Sequence, residues 1–316
     1  MDERGSNMSS KNIQFSVQEM IAKKKKNKII EKVMPVLFLL TAIVSVLTTV
    51  GILLTLLSET FTFFKLVSIK EFFTNLVWYP FSEPGDWGIL PLISGTLRVT
   101  GIAILVAVPF GLATAIYLSE FASDKVRRII KPIIEVLAGI PTIVYGFFAL
   151  TFVTPILQEI IPSLKIYNAL SPGIVIGIMI TPTIASLSED ALVSVPNSIR
   201  EGAQALGATK LEVAIKVVLP AAISGIIASI VLALSRAIGE TMIVSIAGGS
   251  TPNVGFDVTG SVQTLTAYIV SIAQGDAGYG TTIYYSIYAV GFTLFIFTLI
   301  MNLFAQWISR RFREEY

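Results

Sequence analysis

The chain has 316 residues, 53% of them hydrophobic and 14% charged, and carries a formal net charge of +2 that points to no acidic or basic partner. With no cysteine and no histidine, it is excluded from disulfide formation, thiol catalysis, imidazole general-base chemistry and histidine-ligated metal binding. No Gly-x-x-x-x-Gly-Lys-[Ser/Thr] loop occurs, so the chain is not expected to bind or hydrolyse ATP itself; no enzyme activity and no cofactor are expected.

A mean hydropathy of +0.76 places the chain in a lipid bilayer. Uncharged runs at 33–58, 99–119, 136–158, 166–188, 217–235 and 277–309 each come near or above the roughly 20 residues a helix needs to cross hydrocarbon, which predicts an all-α membrane domain over 33–309 with six crossings. The first run begins too late and is too long for a cleaved signal peptide. Lys and Arg number eighteen in segments 1–32, 120–135, 189–216 and 310–316, against four in 59–98, 159–165 and 257–276. This asymmetry predicts that the tails 1–32 and 310–316 and the loop 189–216 are cytoplasmic, and that segments 59–98, 159–165 and 248–280 lie outside. The run Lys23 to Lys26 then anchors topology near anionic lipid, and no nucleic-acid partner is expected. The first seven or so residues read as dispensable tail.

In chain order, the outer segment 59–92 opens with Ser68-Ile69-Lys70-Glu71, a Ser-x-x-Glu capping box followed by Ile69, Phe72, Phe73, Leu76 and Val77 at helical spacing. A short interfacial brace is expected, with Trp78, Tyr79 and Trp87 half wet at the same depth. Pro109, Pro141, Pro155 and Pro182 are expected to break the main-chain ladder of their helices, either lining a pathway or as ordinary membrane-helix prolines.

Residues 200–220 read REGAQALGATKLEVAIKVVLP. Ser198 to Glu201 and Thr209 to Glu212 are two more capping boxes, and Gly207 between them is a natural helix terminator in a left-handed or tight position. The expectation is a short helix, a sharp turn and a second helix leading into the fifth crossing. The pattern E-G-A-x3-G-x9-V-x-L-P resembles the EAA motif, E-A-A-x3-G-x9-I-x-L-P, of permease subunits of ATP-binding-cassette importers. Glu201, Ala203, Gly207, Leu219 and Pro220 match it, while Gly202 for Ala and Val217 for Ile depart conservatively. The resemblance implies a type I importer (MetI-like) permease fold, and a helix here that docks into a separate ATPase.

Between 217 and 256 the only charges are Arg236 and Glu240. A continuous helix from Pro220 to Gly248 would place Arg236 near its middle and both side chains on one face. Such buried charges point to a pathway unless they pair merely to pin helix packing. A guanidinium offers bidentate donors to an oxyanion, and a carboxylate accepts from the proton that phosphate carries near neutral pH and sulfate lacks.

Segment 261–273 has Val262, Leu265, Ile269 and Ile272 at helical spacing, and reads as an interfacial or re-entrant helix or as a landing surface for an outer partner. The blocks GTLRVT, AIYLSEFA, AGIPTIVYGFFAL, SEDALVSVPNSIREGAQALGATKLE and LSRAIGETMIVSIAGG resemble the PstC family of phosphate-importer permease subunits over roughly residues 85–310. That resemblance implies phosphate transport, with Arg236, Glu240 and Thr241 of R-A-x-G-E-T on the substrate pathway and Glu201, Gly202, Ala203, Gly207, Leu219 and Pro220 in ATPase coupling. It also implies a PstA-like second permease, a PstB-like ATPase dimer and a PstS-like phosphate-binding protein outside. A PstA-like subunit or a sulfate or molybdate permease shares the loop, and an ion-coupled secondary transporter would lack it.

Overall fold

The computed structural model describes the backbone of residues 3–275 and 277–311 and the side chains of residues 31 and 33–308 apart from 276. The side chains of Lys23 to Lys26 and most of the 310–316 tail lie outside these. The chain divides into two compact units, one up to Ser58 and one from Glu59. Helix α1 (Glu3–Leu66) runs through the first unit, carries Pro35, and bears no charged residue from Val33 to Ser58.

The second unit begins with the last turns of α1 from Glu59, α2 (Ile69–Thr74) and the antiparallel pair β1 (Trp78–Tyr79) and β2 (Asp86–Trp87). Helices follow: α3 (Leu90–Ile116), α4 (Asp124–Ala138), α5 (Thr142–Phe148), α6 (Thr154–Ile160) and α7 (Leu170–Val193). After them come α8 (Asn197–Ala205), α9 (Lys210–Val213), α10 (Leu219–Ala221), α11 (Ile223–Ile238), α12 (Met242–Ala247), α13 (Leu265–Ala273) and α14 (Thr282–Arg311). Among the described residues, five helices are long and apolar enough to cross a membrane. A sixth crossing results if Lys210–Ala221 and Ile223–Ile238, bent by 72°, count as one.

The centre of the unit is the α3–α7 pair. A Cβ at Gly173 would meet Ile102 at 2.7 Å, and one at Gly177 would meet Val106 at 2.7 Å, so the Gly-x-x-x-Gly face of α7 admits the branched side chains of α3. Around this contact Val175, Ile176, Met179, Ile180 and Ile184 are fully buried. Helix α11 closes on α7 through the Ser188–Ser229 hydroxyl pair at 2.7 Å, and on α14 through Ser235 Oγ donating to Asn302 at 2.5 Å.

Several expectations are corrected. Helix α2 starts after Ser68 as expected, but the Ser68 side chain makes no cap bond and the helix ends at Thr74, so Leu76 and Val77 are exposed outside it. Trp78 and Trp87 are not half wet. They face each other across β1 and β2 and are buried with Phe63, Phe72 and Tyr268, because edge-on ring packing outweighs wetting their polar tips. Pro109 and Pro182 sit inside continuous α3 and α7, Pro155 falls in the first turn of α6, and only Pro141 stands at a break, before α5. Val262 precedes α13, whose Leu265, Thr266, Ala267, Tyr268 and Ile272 are buried, which leaves little of it as a landing surface.

Candidate functional site

Residues 223–247 do not form one helix. Helix α11 ends at Ile238, Gly239 caps it, and α12 begins at Met242. The expected continuous helix is interrupted because Gly239 is a weak helix former and the two side chains after it bond locally instead. Glu240 Oε1 accepts from the N–H groups of Met242 (3.1 Å) and Ile243 (3.3 Å), and Thr241 Oγ1 donates to the Gly239 carbonyl at 3.1 Å. Arg236 therefore lies in the last turn of α11, and Glu240 beyond its end, so the shared helical face does not exist.

The two charges part accordingly. Glu240 is buried, with its carboxylate on the start of α12 and its carbonyl accepting from Thr266 Oγ1 at 2.7 Å. Arg236 is exposed, and its Nη1 donates to Thr183 Oγ1 at 3.4 Å. Thr183 follows Pro182 on α7, and Tyr145 on α5 is near enough to feel the guanidinium charge. Among the described residues no ion pair engages Arg236. The structure thus brings a cation without a carboxylate partner among the described residues, the Thr183 hydroxyl and a helix break together between α5, α7 and α11.

Between Asn197 and Val213 the expected helix–turn–helix forms. Helix α8 ends at Ala205, Gly207 takes φ +88°, and α9 opens with a complete capping box in which Thr209 Oγ1 accepts from Glu212 N while Glu212 Oε2 accepts from Thr209 N. The Glu212 carboxyl is held below its usual range first by the Thr209 backbone N–H and next by Lys216. Glu201 and Gly202 are exposed, Leu206 is 91% exposed, and Ala203 packs on a cluster formed by Leu192, Val195, Val213 and Val218. Leu219 joins that cluster, and Pro220 occupies the first turn of α10, just before the bend at Ala222.

Sequence reasoning missed three features here. Ser198 makes no cap; with Pro196 in the N-cap position, α8 begins at Asn197, two residues before the Ile199 start that a Ser198 cap implies. Arg200 explains the shift, since its guanidinium donates to the carbonyls of Leu192 (2.7 Å) and Val195 and pairs with Glu120 at 3.0 Å, tying α8 to the end of the preceding helices. Glu189, fully buried on α7, is held by Arg127 and by Lys131 (2.6 Å) of α4. For Lys131, burial alone would lower the pKa, and the Asp190 and Glu189 carboxylates override it to a net rise. The one signal for these pairs was opposite charge in separate loops, which leaves the pairing open.

Residues 107–314 match the family model described as the inner membrane component of binding-protein-dependent transport systems. The chain is 36% identical over 248 residues to the probable ABC transporter permease protein YqgH of Bacillus subtilis, covering 78% of this chain and 79% of that one. It is 32% identical over 260 residues to the phosphate transport system permease protein PstC of Mesorhizobium japonicum, covering 76% and 78%. Among solved structures, the MetNI methionine ABC transporter in an inward-facing conformation aligns with a TM-score of 0.58 at 20% identity over 74% of this chain and 100% of that one. A bacterial alginate ABC transporter, in complex with its pentasaccharide-bound periplasmic protein, aligns with a TM-score of 0.54 at 20% identity over 83% and 94%. The MetNI and alginate transporters share the helical fold. With its family model spanning most of the second unit, the chain belongs to the binding-protein-dependent transport system inner membrane components, the permease subunits of ABC importers.

Proposed function

We propose that the chain is the PstC-like permease subunit of an ATP-driven importer of inorganic phosphate, seated in the bacterial cytoplasmic membrane with both termini in the cytoplasm. Its partners are a PstA-like second permease, a PstB-like ATPase dimer that performs the hydrolysis, and a PstS-like binding protein outside. Domain 33–309 is the translocating part, and the tails 1–32 and 310–316 flank it.

The observation that carries the site assignment is Arg236, an exposed guanidinium inside an apolar bundle with a hydroxyl neighbour and no carboxylate partner among the described residues. A cation at membrane depth without a counter-ion supplies what a passing oxyanion requires, and its planar fork matches two phosphate oxygens. Thr183 adds a hydroxyl beside it, and Thr241 lines the break, where its hydroxyl holds the Gly239 carbonyl. Glu240 serves by position: its carboxylate fixes the start of α12 and so the shape of the break. On the cytoplasmic side, Glu201, Gly202, Ala203 and Gly207 form the surface that meets the ATPase, with Leu219 and Pro220 passing its movement to α11.

The test is phosphate uptake by the assembled complex. Arg236→Lys keeps the charge and loses the fork, and is expected to remove most uptake while assembly and ATPase binding persist. Glu240→Gln keeps an acceptor oxygen for Met242 N–H and is expected to retain uptake. Near-normal uptake in Arg236→Lys would overturn the oxyanion role of Arg236, and loss of uptake in an assembled Glu240→Gln complex would return the Glu240 carboxylate to the cargo.

A further inference from the structure

Arg98, on the outer half of α3, is 8% exposed. Its Nη1 donates to the Asp257 carbonyl at 2.6 Å, its Nη2 to the Asn253 carbonyl at 2.8 Å and to Asn253 Oδ1 at 2.5 Å, and its Nε to the Ser94 carbonyl at 3.5 Å. All these acceptors are neutral. The neighbouring Asp257 carboxylate is occupied by the Thr259 hydroxyl (2.7 Å) and N–H (2.9 Å), which hold it below the usual carboxylate range. Among the described residues Arg98 has no ion pair, so a buried cation is committed to fastening backbone.

The backbone it fastens is the irregular segment between α12 and α13. One turn before Arg98, Ser94 Oγ meets both the carbonyl and the N–H of Gly255 at 3.4 Å, and Thr96 Oγ1 accepts from Leu265 N at 3.1 Å. Thus α3 grips the segment through Ser94 and Arg98, one turn apart on one face, while Thr96 on another face holds the first residue of α13 just past it. The far side of the segment is attached elsewhere: Val262 N donates to the Gly248 carbonyl at 2.9 Å, and the N–H groups of Ala169 and Leu170, at the start of α7, donate to the Val258 carbonyl at 3.1 and 3.2 Å. Just beyond it, Thr266 Oγ1 holds the Glu240 carbonyl, in the break beside Arg236. Gly249, at φ +92°, gives the segment a turn at its attachment to α12.

We propose that residues 249–264 are an outer gate over the Arg236 break, and that Arg98 is the latch that holds it closed on α3. The neutral acceptors suit a latch. Each bond is charge-assisted and therefore strong, yet opening leaves no buried carboxylate unpaired, and the freed guanidinium faces the side from which an oxyanion arrives. Arg98 is then a positioning residue: it acts on the site through the segment and Thr266. The inference rests on the importer reading for which side is outer, and its test reads opening without any cargo.

The chain has no cysteine, so Val262→Cys introduces a single thiol into it, at a fully buried residue of the segment whose side chain faces α3 at Gly95. In the assembled complex in native membranes, without phosphate, a membrane-impermeant maleimide is expected to label it slowly. Adding Arg98→Met is expected to raise the labelling rate roughly tenfold, the shift in an opening equilibrium that losing a charge-assisted bond brings. Arg98→Lys should fall between the two. Asn253→Ala, which removes one acceptor from an outer loop, should raise labelling less, and it decides the question by itself if the Arg98→Met complex fails to assemble. Labelling that stays at the Val262→Cys rate in these assembled variants would overturn the latch. Loss of phosphate selectivity with labelling as expected would instead count against the cargo and leave the gate standing.

Discussion

Between Leu206 and Thr209 the backbone holds its own shape, with Gly207 in the left-handed region and Thr209 and Glu212 capping each other, and the tip is left bare with Leu206 almost wholly exposed. Between Gly249 and Thr264 the backbone has side-chain bonds of its own, from Thr251 N to Ser261 Oγ and from Asn253 Nδ2 to the Ser261 carbonyl, but it is fastened to its surroundings by Arg98 and Ser94 of α3 and by main-chain bonds to the start of α7. A docking element has to keep its form while its partner comes and goes, so local bonds suit it. A segment that opens has to exchange its bonds, and long-range bonds to a neighbouring helix allow that without unravelling the segment itself.

The comparison breaks most sharply at Gly95. A Cβ there would stand 2.3 Å from the Gln263 carbonyl and 2.8 Å from Val262 Cγ2, so even Gly95→Ala forces the outer segment off α3. Overpacking of this kind costs about 1–3 kcal/mol. Uptake is expected to collapse, with a lowered melting temperature and intact ATPase binding, because the damage is remote from α8. Wild-type melting and uptake together would show that the segment is not gripped by α3.

Gly207 tests the other half. No heavy atom lies within 4 Å of the Cβ position, so only its φ of +88° resists substitution. A β-branched residue in that conformation costs about 1–2 kcal/mol, whereas asparagine tolerates it. Gly207→Val is expected to insert normally and lose ATPase association and uptake; Gly207→Asn should keep most of both. Equal behaviour of the two variants in co-purification would remove the left-handed turn as the reason for glycine here.

The same contrast explains what the sequence could reveal. The runs of apolar residues, the Gly207 turn and the Thr209–Glu212 box depend on residues within a few positions of one another, and were legible. Ser198 carried the same four-residue signature as Thr209, yet α8 starts ahead of it because Arg200 binds Leu192, Val195 and Glu120, contacts set by tertiary packing. Arg236 and Glu240 stand out in the sequence as the only charges between 217 and 256, but their i, i+4 spacing does not give a shared face, since Gly239 ends the helix that would make one. The Gly173-x-x-x-Gly177 spacing that lets α7 meet α3 is itself a local pattern of the sequence, though it does not say which helix it admits. The Arg98 grip joins residues about 160 positions apart, and no local pattern announces it.

The smallest effect is expected where the structure is most local. Thr209→Ala removes one half of the capping box, for a loss of about 1 kcal/mol confined to α9, because the helix is exposed and Val213 still packs beneath it. The Glu212 half can be released by acid instead. Its folded pKa is depressed, chiefly by the Thr209 N–H, so the stabilisation is present above the unfolded carboxylate value and disappears as the pH falls through the folded one. Amide exchange at Glu212 and Val213 should therefore speed up in Thr209→Ala at neutral pH, and in the native chain only below the usual carboxylate range, while exchange at Leu265, held by Thr96 in the long-range segment, stays unchanged in the variant. Faster exchange at Leu265 in Thr209→Ala would mean that the two regions are coupled through the bundle, and that the separation between a self-held docking turn and an externally held gate is wrong.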